Sequence, residues 1–582
     1  MAIHKPRAEY GSDVIVDLMK AFDIEYVAFN PGASFRGIHD SIVTYGGNSR
    51  PEIIECCHEE VSVAIAHGYA KATGKPMVAI AHNIVGLQHA AMAIFNAWCD
   101  RVPVIVMGGT GPMDTTRRRP WIDWVHTALV QGNLVRDFVK WDDQPHNIAS
   151  VPESFLRAYR IAVTEPAGPV YLCYDADLQE NRLAEEVPIP DVGRYAPPAP
   201  LAPNIEALQQ ASRILVNAQS PLIVADTVGR NPGAARALVE LAEALGAPVL
   251  DRGGRYNFPT AHPLNLTGLE QEMARQADVV LALDVTDLFG ALGKVDKATR
   301  VFESALRPEA RVIHISLGDL LARSWSSDFQ RLPAVDVPIA ADTSVAIPQL
   351  LAACRQLGID GERVHGRFES IKRRHEELRG RWKAQAGRLS NEQPMAAAKV
   401  AADLWDAIKD EEWVLVNGTL DGWARRLWDW KEPRQYLGAS GGGGLGYGIG
   451  ASLGAALAYR DSDKLCIDLD TDGSFLCCPS ALWTAAHHRI PLLIVMKNNR
   501  SYYNSEEHQA EVARVRDRDA TRCGIGTRLA DPPPNFARLA ESFGLYGEGP
   551  IERAEDLGPA LRRAIQVVKE HRTAALVDVV VE

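Results

Sequence analysis

Strand-like apolar runs alternate with helical stretches along almost the whole chain, and this alternation restricts the fold more than any other feature. The runs fall into three blocks, with strand candidates at 26–29 in the first, 277–283 in the second and 575–581 in the third. A repeated strand, helix, strand order favours parallel sheets with helices on both faces. We therefore predict an α/β protein of three doubly wound parallel-sheet domains.

The 582 residues are too many for a single hydrophobic core, and the composition suggests where the chain divides. We predict an N-terminal domain over 1–183, a proline-rich linker over 184–203 and a central domain over 204–355. A charged helical connector, which we expect to be solvated, follows over 356–392, and the C-terminal domain takes 393–582.

The composition excludes several classes of partner. Hydrophobic residues make up 46% of the chain and charged residues 23%, and the net charge of −12 gives no reason to expect nucleic acid or an anionic membrane. No apolar run reaches transmembrane length, and the first residues lack the hydrophobic core of a signal peptide, so we expect a cytoplasmic protein. The nine cysteines lack the spacing of a metal knuckle and are expected to be buried, reduced thiols.

Asp472 and Asn499 follow two apolar strand candidates, 465–469 and 490–496, with a helical segment at 481–486 between them. The carboxyl ends of neighbouring parallel strands open onto one crevice, so these two side chains are expected to converge there. Oxygen ligands of this kind suit a hard cation such as magnesium that is carried by a diphosphate. A surface Asp-Gly turn is the alternative, but the apolar flanks argue against it.

Two further motifs are spaced far from this pair. The segment 57–76 reads Cys-His-Glu-Glu-Val, continues through Gly-Tyr-Ala-Lys-Ala-Thr-Gly-Lys-Pro, and lies in the first block. The segment 441–455 is glycine-rich and opens an alanine-rich helix in the third block. Glycines there allow a close backbone approach to a ligand, followed by close packing of the helix.

Together the three motifs resemble those of thiamine diphosphate-dependent enzymes of the acetolactate synthase, pyruvate decarboxylase and benzoylformate decarboxylase type. The resemblance extends over essentially the whole chain, in the family's order, and its motif details are most similar to benzoylformate decarboxylase. Thr471 stands where the family usually has a glycine. The resemblance implies that the thiamine diphosphate-binding fold occurs twice, as a pyrimidine-binding and a diphosphate-binding domain, around a Rossmann-like central domain.

The resemblance also assigns roles to residues. Glu59 would hydrogen-bond the aminopyrimidine ring of the cofactor, whereas without the other motifs it would be only an acidic residue at a helix start. Leu445 would hold the cofactor in a bent shape. Magnesium would be bound by the side chains of Asp472 and Asn499 and by the main-chain carbonyl of Ser501. Further cofactor contacts are expected at Asn417, Gly418, Thr419, Gly443, Gly473 and Ser474.

His82 occupies the position of a histidine in benzoylformate decarboxylase and is expected to transfer protons, although a strand-end histidine is often a hydrogen-bonded core residue. Ala33 stands where that enzyme has a serine, and Ser34 can substitute one residue later. Tyr256 and Asn257 are further candidates for substrate contact.

The implied cofactors are thiamine diphosphate and Mg²⁺. FAD is not expected, since the segment 282–290 lacks the arginine-containing continuation that accompanies flavin in acetolactate synthases. The implied function is a lyase that decarboxylates a small 2-oxo acid non-oxidatively, performs carboligation through an enamine intermediate, or does both. The alternatives are an acetolactate synthase-like carboligase acting on pyruvate and a non-catalytic homologue that keeps the fold.

The family's cofactor site lies between subunits, with Glu59 and Asp472 supplied by different chains. The resemblance therefore implies a homodimer at least, and a homotetramer as the common assembly. The polar segment 506–530 is predicted to be either a lid over the site or a solvated surface helix.

Overall fold

Three parallel sheets covered by helices form the body of the protein, which confirms the predicted fold class. The computed structural model describes residues 7–296, 299–321 and 332–582. Within those ranges, none of the helices combines the length and the apolar character needed to cross a membrane.

The N-terminal domain has strands β1 (Tyr26–Phe29), β2 (Glu52–Glu55), β3 (Met77–Ala81), β4 (Val104–Thr110), β5 (Asp142–Asp143) and β6 (Val170–Asp175). Its helices are α1 (Gly11–Ala21), α2 (Arg36–Asp40), α3 (Glu59–Thr73), α4 (Val85–Cys99), α5 (Ile122–His126), α6 (Val151–Val163) and α7 (Ala176–Glu180). The strand order is β2-β1-β3-β4-β6-β5, and all pairings are parallel. Every residue of β3 and β4 is buried, because helices cover both faces of the sheet.

The central domain has strands β7 (Pro221–Ala225), β8 (Val249–Asp251), β9 (Val279–Leu283), β10 (Gly293–Val295), β11 (Phe302–Ser304), β12 (Arg311–Ser316) and β13 (Val337–Ala340). Its helices are α8 (Ile205–Asn217), α9 (Pro232–Leu245), α10 (Glu270–Gln276), α11 (Leu288–Ala291) and α12 (Thr343–Leu357). The main sheet has the order β13-β12-β9-β7-β8. The pair β10 and β11 is antiparallel and was not predicted, because three-residue strands are too short to show a periodic pattern.

The charged connector forms helix α13 (Gly361–Leu389) and is solvated only in part. Its residues Ile371, His375, Leu378 and Ala386 are buried, at a helical spacing that defines one inward face. The ring of His375 donates a hydrogen bond from Nδ1 to the carbonyl oxygen of Asn265, at 2.7 Å. The connector is therefore solvated over most of its length, as expected of a charged helix, and packs through one narrow face.

The C-terminal domain has strands β14 (Trp413–Asn417), β15 (Leu465–Thr471), β16 (Leu493–Asn498), β17 (Tyr546–Ile551) and β18 (Ala575–Val580), in the parallel order β14-β15-β16-β18-β17. Its helices are α14 (Ala397–Ile408), α15 (Trp423–Leu427), α16 (Tyr447–Ala458), α17 (Asp472–Phe475), α18 (Ala481–His487), α19 (Tyr503–Val515), α20 (Phe536–Ser542) and α21 (Ala554–His571). The predicted β15, α18, β16 unit is present, so Asp472 and Asn499 lie at the same sheet edge.

Candidate active site

Helix α3, which begins at Glu59, packs directly on helix α16, which follows the glycine-rich run. Glycines make this approach possible. A Cβ atom on Gly68 would lie 1.9 Å from the carbonyl oxygen of Ala451, and one on Gly454 would lie 1.9 Å from that of Ile65. Backbone-to-backbone contact therefore joins the N-terminal and C-terminal domains within one chain.

The beginnings of these two helices meet at the glycine-rich run. A Cβ atom on Gly446, which precedes α16, would lie 3.1 Å from Oε1 of Glu60. The N–H of Gly444 donates a hydrogen bond to Oδ1 of Asn96 on α4, at 3.2 Å. Leu445, between Gly444 and Gly446, keeps 49% of its surface exposed. Its side chain is therefore available to contact a ligand.

Two glycines that were predicted to bind the cofactor have backbone conformations that other residues avoid. Gly443 has a φ of +64° with open space where a Cβ would be, and Gly418 has a φ of +73°. A Cβ on Gly418 would also lie 2.1 Å from the carbonyl oxygen of Leu469. The loop after β14 thus lies against the end of β15, so that Asn417, Gly418 and Thr419 reach the same edge as Asp472.

The side chains of Asp472 and Asn499 converge. Oδ2 of Asp472 and Oδ1 of Asn499 each accept a hydrogen bond from the N–H of Ser501, both at 3.1 Å. Asp472 is only 1% exposed, and its Oδ1 accepts the N–H of Gly473 at 2.8 Å. Burial raises the pKa of Asp472, while backbone N–H donors such as that of Ser501 oppose the rise. The arrangement offers two oxygen donors to one point, which suits a hard cation.

The loop after β15 connects this point to the glycine-rich run. Oγ of Ser474 accepts the N–H of Gly446 at 3.2 Å, and a Cβ on Gly473 would lie 2.5 Å from the ring of Tyr502. Thr471 has the extended backbone angles φ −112° and ψ 147°. A threonine is accommodated there because this conformation is open to any residue.

Glu59 is 3% exposed, and its carboxylate has two polar partners that the sequence did not reveal. Nδ2 of Asn30 donates to Oε1 at 3.2 Å, and Nδ1 of His89 lies 3.1 Å from Oε2. Oγ of Ser62 donates to the main-chain carbonyl of Glu59 at 2.8 Å. Asn30 ends a strand before a Pro-Gly turn, and His89 lies one turn into α4; only the fold brings them to Glu59.

His82 is held by Ser34. Oγ of Ser34 accepts the N–H of Asn83 at 3.0 Å and lies 2.9 Å from Nδ1 of His82. Oγ of Ser34 has a second lone pair as well as its own proton, so it can accept from Nδ1 or donate to it, and the contact orients the ring in both cases. Burial lowers the pKa of His82, and the neighbouring His126, whose ring centroid is 5.3 Å away, lowers it further.

Ser34 and His82 line a cavity of about 120 Å³. Ala33 also lines it, as do three arginines, Arg36, Arg117 and Arg119, and the second histidine, His126. A Cβ atom on Gly86 would lie 2.7 Å from Oε1 of Glu59 and 2.9 Å from Cβ of His82. Gly86 therefore lies between His82 and the carboxylate of Glu59. Arg117, Arg119 and His126 were not predicted because they lie in a segment without a family motif, and Arg36 was not predicted although it follows the loop that contains Ala33 and Ser34.

Tyr256 and Asn257 are placed differently from expectation. Tyr256 is 3% exposed and donates from its hydroxyl to the carbonyl of Lys431 at 2.8 Å. Asn257 is fully buried, and its Nδ2 donates to Oδ1 of Asp251 at 2.7 Å. Tyr256 thus joins the central domain to the C-terminal domain, whereas Asn257 is hydrogen-bonded inside the central domain, and burial leaves neither side chain a surface with which to contact a substrate.

The segment 506–530 contains most of helix α19, in which no residue is buried. Glu506 fixes it near the loop that contains Asn499 and Ser501, since its Oε2 accepts the hydroxyl of Ser501 at 2.7 Å and its Oε1 lies 3.0 Å from Nη2 of Arg528. The structure thus shows an exposed helix beside the site. Closure as a lid stays a prediction.

The fold and these residues define a class of protein: three α/β domains with an oxygen-donor site, a glycine-rich loop and a buried carboxylate at one domain junction. Three family models match the chain. They are described as the N-terminal TPP binding domain, the central domain and the C-terminal TPP binding domain of thiamine pyrophosphate enzymes, and they match residues 10–132, 208–350 and 417–579. The chain therefore belongs to the thiamine pyrophosphate enzyme family.

Individual relatives are distant but span the whole chain. The chain is 24% identical to acetolactate synthase 3 of Brassica napus, over 98% of this chain and 83% of that protein. It is 26% identical to acetolactate synthase 1 of Nicotiana tabacum, over 98% of this chain and 81% of that protein. Benzoylformate decarboxylase from Polynucleobacter necessarius has a similar fold, with a TM-score of 0.75, 18% identity and 99% coverage of both chains.

Proposed function

We propose that this protein is a thiamine diphosphate-dependent lyase that decarboxylates a small 2-oxo acid, or transfers the resulting acyl unit to a second carbonyl. The observation that carries the proposal is the position of Glu59. Its buried carboxylate begins the helix that packs on α16, and only Gly86 separates it from the cavity lined by Ser34 and His82. A buried carboxylate close to a cavity that carries a histidine supports the proposal, because this chemistry needs acid–base groups near the reacting carbon.

The residues present fit the cofactor and its metal. Asp472 and Asn499 would bind Mg²⁺ together with the carbonyl of Ser501, because their oxygens already converge. The loops containing Gly418 and Gly473 would hold the diphosphate, and Leu445 would support the rings with its exposed side chain. When bound, thiamine diphosphate supplies the carbon nucleophile and the electron sink for loss of carbon dioxide.

The chain's own residues would handle protons and orient the substrate. Glu59 would hold a proton on its carboxylate, with Asn30 and His89 fixing the orientation of that group. His82, oriented through Nδ1 by Ser34, would exchange a proton through its other ring nitrogen, Nε2, in the cavity that the residue lines. The small cavity would exclude bulk water from the reacting carbon.

A substrate panel tests the proposal. Pure protein with thiamine diphosphate and Mg²⁺ is incubated with pyruvate, 2-oxobutyrate, longer aliphatic 2-oxo acids and benzoylformate, and carbon dioxide, aldehydes and carboligation products are measured. We expect release of carbon dioxide from at least one member. Absence of both carbon dioxide and ligation product across the panel would contradict the proposal and favour a non-catalytic homologue.

An acetolactate synthase-like carboligase is the second candidate. The names of the relatives from Brassica napus and Nicotiana tabacum favour it. It predicts acetolactate from pyruvate alone and a mixed product when 2-oxobutyrate is added. An aldehyde as the main product from pyruvate would favour the decarboxylase instead.

The role of His82 predicts a change in the pH profile. Because burial and His126 lower its pKa, the neutral ring persists to a more acidic pH than an exposed histidine would allow. If the neutral ring is the active form, the wild-type rate falls only as the pH drops below about 6.5. We expect His82→Ala to lower kcat by about 100-fold or more and to abolish this fall in rate at acidic pH, the acidic limb of the pH profile.

The measurement is kcat and kcat/KM across pH, with the exposed His365→Ala as the matched control. The control should retain both the rate and the acidic limb. Wild-type rates in His82→Ala, or an unchanged limb, would assign His82 a structural role.

We also propose that the protein acts in the cytoplasm as a homodimer or homotetramer whose cofactor sites combine Glu59 of one subunit with Asp472 of another. Absence of disulfides among the nine cysteines, all within the described residues, supports a reducing compartment. Support for shared sites comes from the family resemblance alone, since α3 and α16 also meet within one chain.

Mixing two inactive variants distinguishes these arrangements. Glu59→Gln and Asp472→Ala chains are dissociated together and allowed to reassociate. If sites are shared, half of the dimers are mixed and each has one intact site, so roughly a quarter of the wild-type activity should return. No recovery in verified mixed dimers would assign both residues of each site to one chain.

A further inference from the structure

Three metal-binding side chains form a cluster where the N-terminal and C-terminal domains meet. His58 precedes α3, Glu60 lies in its first turn, and Cys478 lies just beyond α17. One potential ligand atom from each side chain lies within 4.8 Å of the other two. The proposed reaction assigns no role to any of these three side chains, so the cluster needs an explanation of its own.

The carboxylate of Glu60 and the sulfur of Cys478 both lie next to Gly446, in the glycine-rich run. A Cβ atom on Gly446 would lie 2.9 Å from Sγ of Cys478 and 3.1 Å from Oε1 of Glu60. Oε1 of Glu60 is buried and has no hydrogen-bond partner. A buried carboxylate oxygen without a donor is destabilising, and a cation is one group that would satisfy it.

We propose that His58, Glu60 and Cys478 bind a zinc ion, with a fourth position open to water. A set of one nitrogen, one oxygen and one sulfur ligand matches zinc, whereas a thiolate is a poor ligand for Mg²⁺. The site is therefore chemically distinct from the all-oxygen pair Asp472 and Asn499. Binding would deprotonate Cys478 and release its proton to solvent.

Occupancy of this site would tie the two domains together. His58 and Glu60 belong to the N-terminal domain and Cys478 to the C-terminal domain, so the ion would add an interdomain link. Zn²⁺ would thus raise the melting temperature, because it binds the folded chain and not separated domains.

Calorimetric titration of the metal-free, full-length protein with Zn²⁺ tests the proposal. We expect one equivalent to bind, with an affinity that falls at least about tenfold in Cys478→Ser and in Glu60→Gln. The matched control is Cys477→Ser, the adjacent but exposed cysteine, which should bind as the wild type does. Co²⁺ in place of Zn²⁺ should give a thiolate-to-metal charge-transfer band that disappears only in Cys478→Ser.

Each alternative result overturns the site. Absence of Zn²⁺ binding to the wild type excludes it, and equal loss in Cys477→Ser and Cys478→Ser indicates non-specific thiol chemistry. If Cys478→Ser does not fold, Glu60→Gln decides, since it replaces one oxygen by an amide nitrogen of the same size. Displacement of Zn²⁺ by millimolar Mg²⁺ would show that the ion occupies the oxygen site instead.

Discussion

Replacing Glu59 by Gln is expected to lower the turnover of every accepted 2-oxo acid by at least about 100-fold, because an amide cannot hold the proton that the carboxylate holds. The side chain keeps its size, so the contacts with Asn30 and His89 can persist and the fold should be retained. The measurement is kcat at saturating cofactor, together with the melting temperature and the affinity for thiamine diphosphate.

Glu153→Gln is the matched control for this change, since Glu153 is an exposed glutamate of the same domain, on α6. It should leave kcat unchanged. Full activity in Glu59→Gln would remove the catalytic assignment, whereas a large fall in melting temperature would mean that the carboxylate acts through stability.

Replacing Asp472 by Ala should lower the affinity for thiamine diphosphate by about 100-fold or more in the presence of Mg²⁺. The change removes one of the two side-chain oxygens that converge at Ser501. It also removes the acceptor for the N–H of Gly473, which orients the loop beside the proposed diphosphate. The measurement is calorimetric titration of the cofactor at fixed Mg²⁺.

Asp463 is exposed and precedes β15, so Asp463→Ala is the matched control. It should bind the cofactor with wild-type affinity. High Mg²⁺ should restore part of the affinity of Asp472→Ala, because Asn499 and the carbonyl of Ser501 remain. Unchanged affinity in Asp472→Ala would mean that the metal is bound elsewhere.

The sheets and the convergence of Asp472 and Asn499 could be predicted because local patterns determine them. Apolar strands buried on both faces are recognisable from sequence, and the ends of two adjacent parallel strands must open together, which is enough to pair Asp472 with Asn499. Even Thr471 in place of a glycine has a local explanation, since its backbone is extended.

The environment of Glu59 and His82 could not be predicted in the same way. Asn30, His89 and His126 reach these residues only through the tertiary fold, and their spacing in sequence follows no motif. Contacts between distant segments lack a periodic signature. For the same reason Tyr256 and Asn257 were expected to contact substrate, although Tyr256 is buried against the C-terminal domain and Asn257 inside the central domain.

Gly86 has a consequence for how the two acid–base groups can be tuned. It occupies the gap between Oε1 of Glu59 and Cβ of His82, and these two groups share none of their hydrogen bonds: one has Asn30 and His89, the other Ser34. Each can therefore be oriented through its own partners, although the carboxylate still acts on the pKa of His82 by its charge, against the larger lowering by burial. A side chain at position 86 would end that independence, because it would displace the carboxylate and the imidazole together.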